Sequence, residues 1–166
     1  MTSQSDAAGD CTDLGVAVPI EWTCLTFAAL SAAQLYDLLQ LRSEVFVVEQ
    51  NCVFQDIDGA DDQALHVLGR RGAQLLAYAR CVPAGVKFAE ANIGRLVTRG
   101  YARGSGLGHL LVQEARSALC SQWGTQVIRI GAQAHLEIFY RGHGFVDVGR
   151  RYVEDGIDHL EMVWHP

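Results

Sequence analysis

Residues 93–115, IGRLVTRGYARGSGLGHLLVQEA, set an apolar strand, a turn bearing Gly100, Gly104, Gly106 and Gly108, and the start of an amphipathic helix in direct succession. The first turn of a helix has N–H groups without partners and the positive end of the helix dipole, and glycines let an anion reach the main chain unobstructed. Arg103 adds a fixed positive charge beside that turn. The segment therefore commits the chain to a strand–turn–helix layer with an anion site at its junction. Two familiar phosphate motifs fail on spacing. A GxGxxG fingerprint starting at Gly104 needs a third glycine where His109 stands, and no acidic residue closes a second strand about 20 residues on. GxxxxGK[ST] fails because neither Gly100 nor Gly104 has a glycine five residues later and no lysine follows these glycines.

The 166 residues, 49% of them hydrophobic, suffice for one core, so a single domain over 19–166 is expected behind a flexible tail at 1–18, which is polar and without periodicity. No apolar run approaches the roughly 18 residues needed to span a bilayer, and no basic-then-apolar leader is visible, so a cytoplasmic protein without membrane partners is expected. A net charge of −6 argues against nucleic acid. Lys87 is the single lysine, and Arg95, Arg99 and Arg103 cluster, which suggests one focused anionic ligand. Five scattered cysteines without a CxxC, and histidines without helical ligand spacing, suggest neither disulfides nor a metal.

Periodicity gives the element order. Residues 21–27 read as a strand, and Ser31 with Gln34 forms a capping box opening a helix with Leu35, Leu38 and Leu39 on one face, ending near Arg42 or Glu44. The acidic segment 55–63, QDIDGADDQ, reads as a solvated surface loop able to attract cationic amines. Strands follow at 64–70, 74–82 and 91–98, then a helix at 106–123, a strand at 126–132, a short helix at 134–141, and strands at 145–152 and 157–164 around an Asp155–Gly156 turn. The class is α/β (α+β): a mixed, mostly antiparallel sheet of about seven strands with helices on both faces.

The spacing RxxGxG at Arg103, Gly106 and Gly108 resembles the pyrophosphate loop of the GNAT superfamily of N-acetyltransferases, and QAHLEIFYRGHGF at 133–145 resembles its late helix with a closing Gly-Phe. LRSEVFVVEQNCVFQDIDGADDQALHVLG and VEDGIDHLEMVW look like the ElaA-like branch. The resemblance covers about residues 20–165. It implies acetyl-coenzyme A as donor, held by Leu96, Val97 and Thr98 along the pantetheine arm, by Arg103, Gly104, Ser105, Gly106, Leu107 and Gly108 at the pyrophosphate, and by Gln133 and Tyr140. Gln133 stands where the family often has asparagine.

The implied reaction is attack of a neutral amine on the thioester. A backbone N–H near Val97 polarises the carbonyl, Tyr140 protonates the leaving thiolate, and a base takes the ammonium proton. Glu49, His66 and Glu90 are the candidates for that base or for acceptor contacts. The acceptor is a small-molecule amine or a protein amine, on a monomer or homodimer. A non-catalytic acyl-coenzyme A sensor and a protein-interaction module on the same fold are the rival readings.

Overall fold

The computed structural model describes residues 18–166, so the expected tail lies, but for Val18, outside the described residues. Strand β1 (Glu21–Thr26) leads to helix α1 (Ala32–Arg42), where the capping box of Ser31 and Gln34 forms as the sequence indicates. The chain does not straighten there: the α-helix passes into a π-helical turn, Ser43–Glu49. Next come β2 (Leu65–Arg71), β3 (Gln74–Val82), β4 (Ala91–Thr98), α2 (Leu107–Trp123), β5 (Ile128–Gln133), α3 (Glu137–Arg141), β6 (Val146–Glu154) and β7 (Ile157–Trp164). β5 starts later than its apolar run because Gln126 folds back, its side-chain amide donating to the Trp123 and Gly124 carbonyls at the end of α2.

One seven-stranded sheet has the order β1-β2-β3-β4-β5-β7-β6. Every neighbouring pair is antiparallel except β4–β5. The helices cover opposite faces. Leu107, Leu111, Ala115 and Leu119 of α2 pack on Ala77, Ala79 and Ile93, while Leu38 and Leu41 of α1, with Val45, pack on Leu68, Tyr78 and Val97. The fully buried stripe of α1 is Leu38, Leu41 and Arg42, with Leu35 and Leu39 at its margin.

Arg42 goes inside because the acidic segment follows it. Its guanidinium donates to Asp56 at 2.8 Å and Asp61 at 2.7 Å, while Arg80 holds Asp58 and Asp61 and Arg95 holds Asp56. Lys87 completes the cluster on Asp58 at 2.8 Å. The QDIDGADDQ segment is thus a pinned loop with Asp56 and Asp61 buried, not a solvated one, and these carboxylates are spent on arginines rather than offered to amines. Paired charge of this kind tolerates burial, whereas a lone buried carboxylate would not.

Candidate functional site

Strands β4 and β5 pair only at Ala91↔Ile128 and Asn92↔Arg129, then part. The gap opens into a cavity of about 1010 Å³ that runs between the two faces of the sheet and is lined from both strands. β4 is distorted at its rim: opposite Tyr78–Arg80 it carries one extra residue, with Arg95 at a φ of 49°. Such a bulge re-aims the following residues at the cost of local strain.

The register then fixes where the main chain points. Arg99 N donates to the Leu76 carbonyl at 2.9 Å, and opposed antiparallel residues alternate between bonded and unbonded pairs, so Val97 directs its N–H and C=O to Tyr78. Leu96 and Thr98 face the gap instead, and Thr98 shows it by accepting a bond from Arg103 at 3.2 Å on that side. Val97 N–H, the donor that the resemblance gives to the thioester carbonyl, is thus directed at β3 rather than into the gap.

At the foot of the gap lies the glycine loop. Gly104 and Gly106 have φ of 78° and 81°, a region glycine occupies without strain, and a Cβ on either would meet nothing within 4 Å. Their outer side is open to a ligand. Gly106 caps α2, whose first N–H groups at Leu107 and Gly108 have no helical acceptor. Ser105 turns its hydroxyl into the loop, donating to Ala102 O at 2.8 Å. Of the three clustered arginines only Arg103 stands at this loop: Arg95 is bound to Asp56, and Arg99 donates to Glu44 and to the Leu75 carbonyl.

On the far side of the gap, Tyr140 lines the cavity with its ring edge-on to Phe139 and Phe145. Burial pushes its phenol well above the usual value, which keeps it protonated. Gln133 also lines the cavity, and its amide donates to Gln50 at 3.2 Å, carried there by the π-helical turn.

The three base candidates are separated by the fold. Glu49 lines the cavity but is bound to Arg103. His66 is fully buried; its Nε2 donates to the Asp61 carbonyl at 2.9 Å and its Nδ1 accepts from the Tyr78 hydroxyl at 2.9 Å, so both nitrogens are used and the residue is structural. Glu90 takes Arg129 on both oxygens, is held down to about 2 by that bond, and does not line the cavity. Both are committed to partners elsewhere in the sheet.

The wall opposite β4 holds residues that sequence reasoning passed over: Gly131, Tyr152 and His159. Tyr152 and His159 stack with ring centroids 5.4 Å apart, and a Cβ on Gly131 would sit 2.5 Å from the Tyr152 hydroxyl. Alternation along β7 offered a signal for His159, which falls between the exposed Asp158 and the buried Leu160, on the face it shares with Ile157 and Glu161.

Among the described residues, no helix is long and apolar enough to cross a membrane. The profile of the acetyltransferase (GNAT) domain matches residues 28–166. The ElaA protein of Escherichia coli is 43% identical over 145 residues, spanning 86% of this chain and 95% of that protein. Its crystal structure superimposes with a TM-score of 0.82 at 41% identity, covering 88% of this chain and 99% of the other. An acyl-CoA N-acyltransferase from Pseudomonas aeruginosa gives a TM-score of 0.83 at 43% identity over 87% of this chain and 99% of its own. With the parted strands, the glycine loop and these relatives in agreement, the chain belongs to the GNAT acetyltransferase family, as a homologue of ElaA.

Proposed function

We propose that the protein moves the acetyl group of acetyl-coenzyme A to a primary amine by direct attack on the thioester, in the cytoplasm, where that donor is made. The observation that carries this reading is the parting of β4 from β5 above an open glycine loop, which joins an anion cradle to a strand edge with unpaired main-chain groups. Leu107 and Gly108 N–H, with Arg103, suit the pyrophosphate, and the gap-facing main chain of Leu96 and Thr98 suits the amide-bearing arm. When bound, acetyl-coenzyme A supplies an activated acyl carbon and a thiolate leaving group.

Leu96 N–H takes the polarising role that Val97 cannot, and Tyr140 holds a proton for the thiolate. The acceptor is a small-molecule or protein amine entering from the α1 face. The test is a thermal melt with acetyl-coenzyme A, which at 100 times its dissociation constant adds about 2.7 kcal/mol. A rise that shrinks in Arg103→Ala supports the reading and leads to an amine panel read by free thiol; no rise at millimolar ligand overturns it. Binding without thiol release across the panel favours a non-catalytic sensor.

A further inference from the structure

The three carboxylate and imidazole candidates that the sequence offers are bound to arginines or buried, which leaves open how an acceptor ammonium loses its proton. We propose that His159 on β7 is the general base of the acceptor side, a reading that rests on the acetyl-transfer function above.

The geometry is specific about which nitrogen acts. His159 Nδ1 lies 2.8 Å from the Ile157 carbonyl, and a carbonyl only accepts, so Nδ1 carries the hydrogen and the Nε2 lone pair is left free in the neutral ring. The ring cannot readily turn to reverse these roles, because Tyr152 stacks on it at an interplanar angle of 19°. Both rings line the cavity. In register His159 sits opposite Gln133 of β5, so it stands one strand away from the gap through which the thioester must be reached. Gly131, also facing the cavity, keeps that stretch of β5 clear of side chain beneath the Tyr152 hydroxyl.

The charged and titratable groups of the surrounding elements are largely engaged with one another. On β7, Glu161 is held by Arg129 of β5 and Arg150 of β6. Across the cavity Glu49 is held by Arg103, and Cys52 donates to the Asp155 carbonyl in the β6–β7 turn. Glu154 and Asp155 also line the cavity, where their negative charge favours the approach of an ammonium group. His135 also lines the cavity but is exposed, with neither a fixed tautomer nor a stacked ring.

The step balances simply. One N–H bond of the acceptor ammonium breaks, its electron pair stays on nitrogen, and the proton bonds to Nε2; the resulting imidazolium keeps its Nδ1–H on the Ile157 carbonyl. The freed amine then bonds to the acyl carbon; as the C–S bond breaks the thiolate takes the Tyr140 proton, the second proton of the attacking nitrogen leaves it as the neutral amide forms and replaces the one lost from the Tyr140 oxygen, and His159 later returns its proton to solvent.

The test needs no known acceptor. The full chain is incubated with S-bromoacetyl-coenzyme A, whose carbon–bromine bond is displaced by a nucleophile beside the acyl position, and the adduct is mapped by peptide mass spectrometry. His159 is expected to carry the adduct, excess acetyl-coenzyme A should block it, and His159→Asn should lose it. Asparagine keeps a donor for the Ile157 carbonyl without a basic nitrogen, so this variant should retain the acetyl-coenzyme A melting shift. An adduct on Cys52, Tyr140 or Glu154 with His159 unmodified, or no adduct on a protein whose melt shows binding, overturns the assignment. Absence of the melting shift in the wild-type chain overturns the transfer function itself. If His159→Asn does not fold, mapping on the wild-type chain decides alone.

Discussion

Glu49 grips Arg103 with both carboxylate oxygens, Oε2 accepting from the second terminal nitrogen at 3.0 Å, so the arginine of the glycine loop is occupied by the last residue of the π-helical turn. An incoming pyrophosphate competes with that carboxylate for the same guanidinium. Glu49→Gln should therefore tighten acetyl-coenzyme A binding by about threefold, since a half-exposed ion pair is worth at most about 1 kcal/mol after solvent screening. Calorimetric titration checks this; weaker binding would mean that Glu49 positions Arg103 rather than competing for it.

Tyr140 has the opposite profile. Its phenol is buried and kept protonated, and a coenzyme A thiolate, the group it would protonate in the proposed reaction, is already a fair leaving group, with a thiol pKa of about 8.5. Tyr140→Phe should leave acetyl-coenzyme A affinity near wild type and lower kcat by roughly 10²-fold, the range of a single proton donor. Steady-state kinetics on any amine found in the panel would show the split, and an equal loss in affinity would make Tyr140 a binding residue.

Gly131 and Tyr152 offer a paired test of the cavity wall. A methyl group at Gly131 meets the Tyr152 hydroxyl oxygen at 2.5 Å but the ring carbon bearing it at 3.8 Å. Gly131→Ala alone should cost about 1–3 kcal/mol by overpacking. Adding Tyr152→Phe should recover most of that loss, because the obstructing atom is gone. Denaturant melts of the four proteins in the cycle measure the coupling, and simple additivity would rule out the contact.

The buried charge cluster sets the stability. Arg42→Ala leaves Asp56 and Asp61 short of a partner in the interior and should cost about 3–5 kcal/mol in a denaturant titration. Its pH dependence has two stages. Burial chiefly holds the His66 imidazole below its ordinary value. For Asp61, burial pulls upward, but the bonds and charges of Arg42 and Arg80 prevail and hold it low. A group with a depressed folded pKa contributes stability above its unfolded pKa and loses it as pH falls through the folded value. Thermal stability should therefore begin to fall below about pH 6.5, through His66, and fall again below about pH 4, through Asp61. His66→Gln should shrink the first stage and leave the second, as melts from pH 8 to 3 would show.

Local patterning carried most of the fold. The capping box at Ser31, the runs that bound β4 and β7, the three-and-four spacing of α2 and the Asp155–Gly156 turn are read within windows of a few residues, and each forms as read. The glycine turn was legible for the same reason, since its positive-φ positions and the free first N–H groups of α2 belong to consecutive residues. The errors arose where partners lie far apart in the chain. Arg42 is buried because Asp56 and Asp61 reach it across a loop, and His66 is structural because Tyr78 comes to it from the next strand. That the main-chain groups of Leu96 rather than those of Val97 face the gap depends on a bulge between β3 and β4. The sequence by itself determined the elements, the class and the glycine turn that opens α2. Which side chains share the cavity, and which are already paired, was decided only by the tertiary structure, because charge pairing and strand register are set between residues that no local pattern connects.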